Sequence, residues 1–393
     1  MDPVKNPYVP GTGNPPPELA GRSTILDDAS IALKRLQGGK NPQSLILVGL
    51  RGVGKTVLLV RISEIAQELG FFPAMIEANE NNSLPQMLIP QLKKILFMLD
   101  ANESAKHKAK YAFRVLRSFI SSVSVRINDI DYGINVSPER GTGDSGNFEV
   151  DLSETLMAVG EAARAANKHI CILIDELQYI KLDEFEALIM SIHRINQRSL
   201  PIILVGAGIP QILALAGESK SYAERLFKYP TIGALSPADA RIAVVNPARK
   251  EGVEYSASAV SKILETTERY PYFLQQWAHD SWNVSKGPTI EATDVELATT
   301  IAIHSLDESF FKVRFDRCTP AERRYMSALA ELGPGSHRSG DIAERRGVKT
   351  TSVAPVRSSL IRKGMIYSPA HGDTAFTVPM FDAYMRRVMP NSQ

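Results

Sequence analysis

The stretch LILVGLRGVGKTVLL, residues 45–59, runs from an apolar segment through glycines around a lysine and back to an apolar segment. Its centre, Gly49-Leu50-Arg51-Gly52-Val53-Gly54-Lys55-Thr56, matches G-x-x-x-x-G-K-[ST] in full. Residues 44–48 read as a buried strand of a parallel sheet, because a short apolar run ends there in glycine. Residues 56–69 place Leu59, Ile62, Ile65, Ala66 and Leu69 at helical spacing and stop at Gly70, so the loop lies between a strand and a helix. Glycines there let successive backbone N–H groups turn inward around phosphate oxygens, and the helix N-terminus adds the positive end of its dipole. Gly49 through Val57 are therefore the nucleotide-binding candidates, with Lys55 expected at the β- and γ-phosphates and the Thr56 hydroxyl on Mg²⁺.

Working outward, FFPAMIEA at 71–78 reads as a second strand and 85–99 as a second helix, which completes a βαβ unit. Residues 106–150 break the rhythm. VSVRINDIDYGINVS (123–137) alternates apolar and polar residues around Asn128-Asp129, a hairpin signal, and ERGTGDSGN (139–147) reads as loop. We take this region as an insertion, with a hairpin at 123–136. The α/β pattern resumes with a helix at 152–167, the strand HICILID, a helix at 184–197 and the strand PIILVGAG. The expected fold class is α/β: a P-loop three-layer αβα core with a parallel sheet. Its domains would be a core at 1–235, a helical lid at 236–312 and a C-terminal winged helix-turn-helix at 313–393. The last rests on the order helix (TPAERRYMSALAELG), short helix (SGDIAERRG), longer helix (KTTSVAPVRSSLIRKG) and two strands around a Gly-Asp turn.

The partner of the glycine loop is CILIDELQ at 171–178. Apolar residues of a buried strand end in Asp175-Glu176, so both carboxylates emerge at the carboxyl edge of the sheet, where such folds bind ligands. Asp175 is expected to hold Mg²⁺, and Glu176 to orient and deprotonate the attacking water. Cys171, on the same strand, reads as a small core residue. His169, His193 and His304 lack ligand spacing, so no zinc site is expected. Trp277 and Trp282 read as packing.

Together these parts resemble AAA+ ATPases of the origin-recognition and cell-division-cycle initiator type, and the related signal-transduction ATPases with numerous domains. The resemblance implies an ATPase that uses ATP and Mg²⁺. It also implies that PPELAGR, through Gly21 and Arg22 with Leu19, lies against the adenine. Within KSYAERLFKYP it implies that Arg225 is a finger arginine acting on a neighbouring subunit; a surface salt bridge with Glu224 or Glu218 is the competing reading. RYPYFLQQWA is similar to the family's Gly-x-Pro segment, with Pro271 at the start of a lid helix and Arg269 where glycine is usual. The strand ending Gly206-Ala207-Gly208 offers only backbone where the family commonly carries a polar sensor.

Among 393 residues the formal charge is only +2, so no nucleic-acid footprint covers the whole chain. From Asp316 onward, however, twelve basic residues face seven acidic ones, a local +5. Lys349, Thr350, Thr351 and Ser352, followed by Arg357, open and line the expected recognition helix, with His371 at the wing tip; Pro355 would shorten or kink that helix. With two distant cysteines no disulfide framework is expected, and with no long apolar run neither a signal peptide nor a membrane span is expected, which suits the cytoplasm. The reading is an ATP-dependent molecular switch, associated with duplex DNA and oligomeric. The alternative is a signalling or phage-defence ATPase that holds a protein partner through the winged helix and the insertion.

Overall fold

A computed structural model of the chain describes residues 1–11, 13–123, 134, 136–219, 223–370 and 372–390. It forms two compact units: Arg22–Gly49 with Lys55–Ile232, and Met1–Gly21 with Leu50–Gly54 and Gly233–Gln393.

The first unit contains α1 (Ser23–Gln37), β1 (Ser44–Val48), α2 (Lys55–Glu68), β2 (Phe71–Glu77), α3 (Leu84–Asp100) and α4 (Lys106–Val123). It continues with α5 (Phe148–Ala165), β3 (His169–Asp175), α6 (Leu182–Gln197), β4 (Ile202–Gly208), α7 (Gln211–Ser219), α8 (Ala223–Leu226) and β5 (Phe227–Lys228). The five strands form one sheet in the order β2-β3-β4-β1-β5, with every pairing parallel. β1 and β4 are buried at every position, as a sheet covered on both faces requires. Alternate residues choose the face: Ile46, Ala74, Ile172, Ile174 and Leu204 join a core with α3 to α6. By the strand's period of two, Leu45, Leu47, Leu173 and Val205 point to the opposite side, where α2 packs. Pro73 is accommodated because β2 is an edge strand.

The region expected to be an insertion is partly core. Residues 106–123 form α4, which buries Ala109, Ala112, Phe113, Leu116, Phe119 and Ile120 between α3 and α5. The apolar spacing is helical and pays its way through burial, whereas the sequence reading weighted the alternation that follows. The hairpin expected at 123–136 lies, but for residues 123, 134 and 136, outside the described residues. The loop after it is stitched to α5: the buried Asp151 carboxylate accepts from Ser145 N–H (2.8 Å), Ser145 Oγ (2.7 Å) and Gly146 N–H (3.2 Å).

The second unit contains α9 (Pro237–Lys250), β6 (Glu254–Tyr255), α10 (Ala257–Thr266), α11 (Pro271–Val284), β7 (Thr289–Ile290) and α12 (Ala292–Ser305). A π-helical stretch, Leu306–Phe311, carries α12 into α13 (Lys312–Asp316). Then follow α14 (Pro320–Glu331), β8 (His337–Arg338), α15 (Ser339–Arg345), α16 (Thr350–Arg362), β9 (Ile366–Tyr367), β10 (Asp373–Phe376) and α17 (Phe381–Val388). The boundary expected at 312/313 falls inside continuous helix, and both sides belong to one unit. Aromatic packing explains why: Phe310 stacks on Tyr272 (4.9 Å), and the buried Phe311 meets Phe381 (5.7 Å) and Tyr384 (5.3 Å).

The strands β8, β10 and β9 pair antiparallel in that order, and α16 runs through Pro355 without ending there. The N-terminal arm is held by side chains instead of regular structure. Asn6 Nδ2 donates to His279 O (3.0 Å) and Asn283 Oδ1 (2.9 Å), the buried Tyr8 hydroxyl donates to Val244 O, and Trp282 Nε1 donates to Asp2 O (3.0 Å). Trp277 is fully buried and donates to Thr299 Oγ1 (2.9 Å), so both tryptophans serve packing.

Candidate nucleotide site

The glycine loop leaves β1 at its carboxyl end, and Gly49 N–H donates to Gly208 O (3.1 Å) at the end of β4. Gly52 and Gly54 have φ of +83° and +92°, a region that L side chains rarely adopt. The Gly52 carbonyl accepts from Tyr272 N–H (3.2 Å) at the start of α11, and a Cβ on Gly52 would lie 3.2 Å from Tyr272 Cβ. Leu50 and Arg51 are half-buried, and Arg51 N–H donates to Thr377 O (3.3 Å). Val53 and Lys55 are buried, Lys55 opens α2, and Thr56 and Val57 occupy its first turn.

Within the α/β unit the structure brings Thr56 to Asp175: the Thr56 hydroxyl donates to Asp175 Oδ2 at 2.5 Å. Asp175, 3 % exposed, also accepts from Glu176 N–H at Oδ1 (2.8 Å). Burial raises its pKa above the ordinary 3.8, partly opposed by the Thr56 hydrogen bond. Glu176 itself adopts φ 53°, ψ 41°, the left-handed region where a residue with a side chain is strained. That turn ends β3 and starts a single 3-10 turn, Leu177–Tyr179. The turn sets the Asp175 and Glu176 carboxylates at the carboxyl end of β3.

Gly21 has φ +67°, and a Cβ there would lie within 2.9 Å of the Asp239 side chain, so only glycine fits. Arg22 is buried next to the start of α1, and Leu19 is half-buried. Pro271 is the first residue of α11, while Arg269 takes φ +61° and its carbonyl accepts from Leu235 N–H (3.0 Å). Arg225 sits on the short α8, exposed, its carbonyl accepting from Gln43 Nε2 (2.7 Å); its guanidinium forms no ion pair among the described residues. Cys171 is fully buried, which pushes its thiol pKa up to about 12 and fits a core residue. No cluster of three or more metal-ligating side chains occurs among the described residues.

Sequence reasoning missed Gln178. Its Nε2 donates to Glu176 Oε2, and its Oε1 accepts from Ile209 N–H (3.1 Å) just past β4. The only signal was its place two residues after Glu176 in CILIDELQ.

In the C-terminal segment, Lys349, Thr350, Thr351 and Ser352 are exposed at the start of α16. Arg357 corrects the expectation. Its guanidinium donates to Thr374 Oγ1 (2.9 Å), Ser368 Oγ (2.8 Å) and Asp373 O (2.8 Å), so it clasps α16 to the β9–β10 hairpin and does not project outward. Arg323, Arg345, Lys363, Arg386 and Arg387 are likewise paired, with Asp316, Glu331, Glu322, Asp382 and Asp307. The local surplus of charge is thus carried at the surface by fewer residues than the sequence count implies. His371 lies outside the described residues. No helix among the described residues is long and apolar enough to cross a membrane.

Residues 37–211 match the family described as AAA domain, and residues 308–385 match a domain of unknown function (DUF8462). No curated protein matches the sequence. Among solved structures the chain is similar to the Walker-type ATPase paby2304 of Pyrococcus abyssi. The TM-score is 0.58 at 12 % identity, over 94 % of this chain and 96 % of that one. It also aligns with Cdc6p from Pyrobaculum aerophilum (TM-score 0.49, 14 % identity, 99 % and 98 % covered). A third alignment is with the Orc1 protein of Aeropyrum pernix in complex with DNA (TM-score 0.48, 15 % identity, 98 % and 96 % covered). Strand order and glycine loop agree with an α/β P-loop fold, and the match to the AAA domain covers residues 37–211 of it.

Proposed function

We propose that this protein binds and hydrolyses ATP as a molecular switch and associates with duplex DNA through its C-terminal segment, read as a winged helix. The observation that carries the first half is the hydrogen bond from Thr56 to Asp175 at 2.5 Å, formed where the glycine loop enters α2 and β3 ends. A hydroxyl and a carboxylate are the hard oxygen donors that Mg²⁺ takes, so the pair fits its site. Bound there, the ion would neutralise charge on phosphate oxygens. Lys55 supplies a fixed positive charge for the phosphates, and the backbone of Gly49, Leu50, Arg51, Gly52, Val53 and Gly54, with Val57 behind it, forms the cradle. Glu176, first past the strand, takes the proton of the attacking water. Gly21, Arg22 and Pro271 are assigned to the base side of the nucleotide, and Arg225 to a neighbouring copy's site.

The DNA half rests on the exposed opening of α16, Lys349 to Ser352, and on Arg324, Arg338 and Arg362, which are exposed without ion pairs among the described residues. The inward turn of Arg357 favours the second reading, a protein partner in signalling or defence, to the extent that it removes one cation from this face. ATPase activity with and without duplex DNA, across protein concentrations, separates them. Stimulation by DNA supports the first reading. ATP turnover indifferent to DNA, with no DNA binding at low salt, would leave the second; no turnover under any condition would overturn both.

A further inference from the structure

β4 ends in Gly206-Ala207-Gly208, with no polar side chain to offer the neighbouring carboxylates. The space those glycines leave is filled from β3's side. A Cβ on Gly206 would collide with Leu177 Cδ1, and one on Gly208 would lie 3.2 Å from Gln178 Oε1. The register that pairs Ile174 with Gly206 brings the two strand ends together. Gln178 then uses both ends of its amide. Oε1 accepts the Ile209 N–H at 3.1 Å, which leaves Nε2 as the donor that grips Glu176 Oε2. Glu176 sits in the left-handed region, a strained backbone that persists only where its surroundings hold it, and the Gln178 amide is one such hold.

We propose that Gln178 is a positioning residue for hydrolysis: it anchors the Glu176 carboxylate to the end of β4, holding one oxygen so that the other faces the water. The inference rests on the reading of Glu176 as the base. It assigns the polar link between the β3 and β4 ends to the β3 side, a role that Gly206 and Gly208 make room for.

The test measures kcat, ATP affinity and thermal unfolding of the full chain as wild type, Gln178→Glu, Gln178→Met, Glu176→Gln and the double variant Glu176→Gln/Gln178→Met. Gln178→Glu keeps the acceptor for Ile209 N–H but loses the donor to Glu176; Gln178→Met loses both. Both single Gln178 variants are expected to bind ATP within about threefold of wild type while kcat falls about tenfold or more, a loss confined to the chemical step. The double variant should lose no more than Glu176→Gln, because the two act as one unit. Wild-type turnover in Gln178→Glu beside a dead Glu176→Gln would overturn this inference alone. So would loss of folding in both Gln178 variants, which would make the residue a brace. Full turnover in Glu176→Gln, or none in the wild type, would overturn the underlying reading and this one with it.

Discussion

The hydroxyl of Thr56, in the first turn of α2, donates to the buried carboxylate of Asp175 at the end of β3, 2.5 Å away. One bond thereby ties the glycine loop to a strand two places across the sheet from β1. Thr56→Val keeps the shape and removes the donor, leaving a buried carboxylate short of a partner. It should destabilise the protein by about 1–3 kcal/mol, read by chemical unfolding, and lower Mg²⁺-dependent ATP turnover. Asp175→Asn should abolish that turnover while the fold is retained. Turnover of Asp175→Asn at the wild-type Mg²⁺ optimum would remove Asp175 from the metal's holders.

Lys55 and Glu176 should fail in different ways. Lys55→Ala removes a phosphate charge, so ATP binding measured by calorimetry should weaken roughly 100-fold or more. Glu176→Gln keeps size and polarity but cannot take a proton. It should bind ATP normally and turn over about 100- to 10,000-fold more slowly.

Much of this site was legible because its parts are contiguous in the chain. The loop from Gly49 to Thr56 and the strand end at Asp175-Glu176 each announce themselves in fewer than ten residues, and the parallel sheet follows from apolar runs between helices. What stayed hidden depends on partners distant in sequence. The Gln178–Ile209 bond needs the β3–β4 register, and the clasp of Arg357 on Thr374 needs α16 laid against the hairpin. The α4 helix was overlooked for another reason: its apolar stripe makes sense only once α3 and α5 are there to cover it. The continuity of α12 into α13 was hidden because it runs through a π-helical stretch that no spacing pattern flags.

Arg225 is exposed on α8. If it completes a neighbour's site, specific activity should rise with protein concentration. Arg225→Ala should leave ATP affinity nearly unchanged and cut turnover about a thousandfold. Turnover per chain that is independent of concentration in the wild type would return the residue to the surface.

Lys349 and Arg357 were expected to act alike on DNA, and the structure separates them. Lys349→Ala should weaken duplex binding and reduce the slope of log affinity against log salt by about one. Arg357→Ala should leave that slope unchanged and lower the unfolding midpoint, because it releases Thr374, Ser368 and Asp373 from α16. Fluorescence anisotropy across a salt series, paired with thermal melts, reads both. Equal slopes lost in the two variants would show Arg357 on phosphate after all.

Glu322 fixes the C-terminal segment through a single carboxylate. It caps α14 by accepting from Thr319 N–H (2.7 Å), and it accepts from Ser359 Oγ (2.8 Å) and Lys363 Nζ (2.8 Å) on α16. Burial alone would raise its pKa; the Lys363 ammonium, the Thr319 N–H and the Ser359 hydroxyl outweigh that and leave it below the ordinary 4.5. A depressed folded-state pKa means that the unfolded chain binds the proton more tightly. The stabilisation is therefore fully present above 4.5 and is lost as the pH falls through the lower, folded-state value. Glu322→Gln should cost about 2 kcal/mol near neutral pH, by loss of the ion pair and of the cap. The gap between wild type and variant in urea unfolding should narrow as the pH drops below 4.5, and a gap that widens there would place the stabilising charge elsewhere.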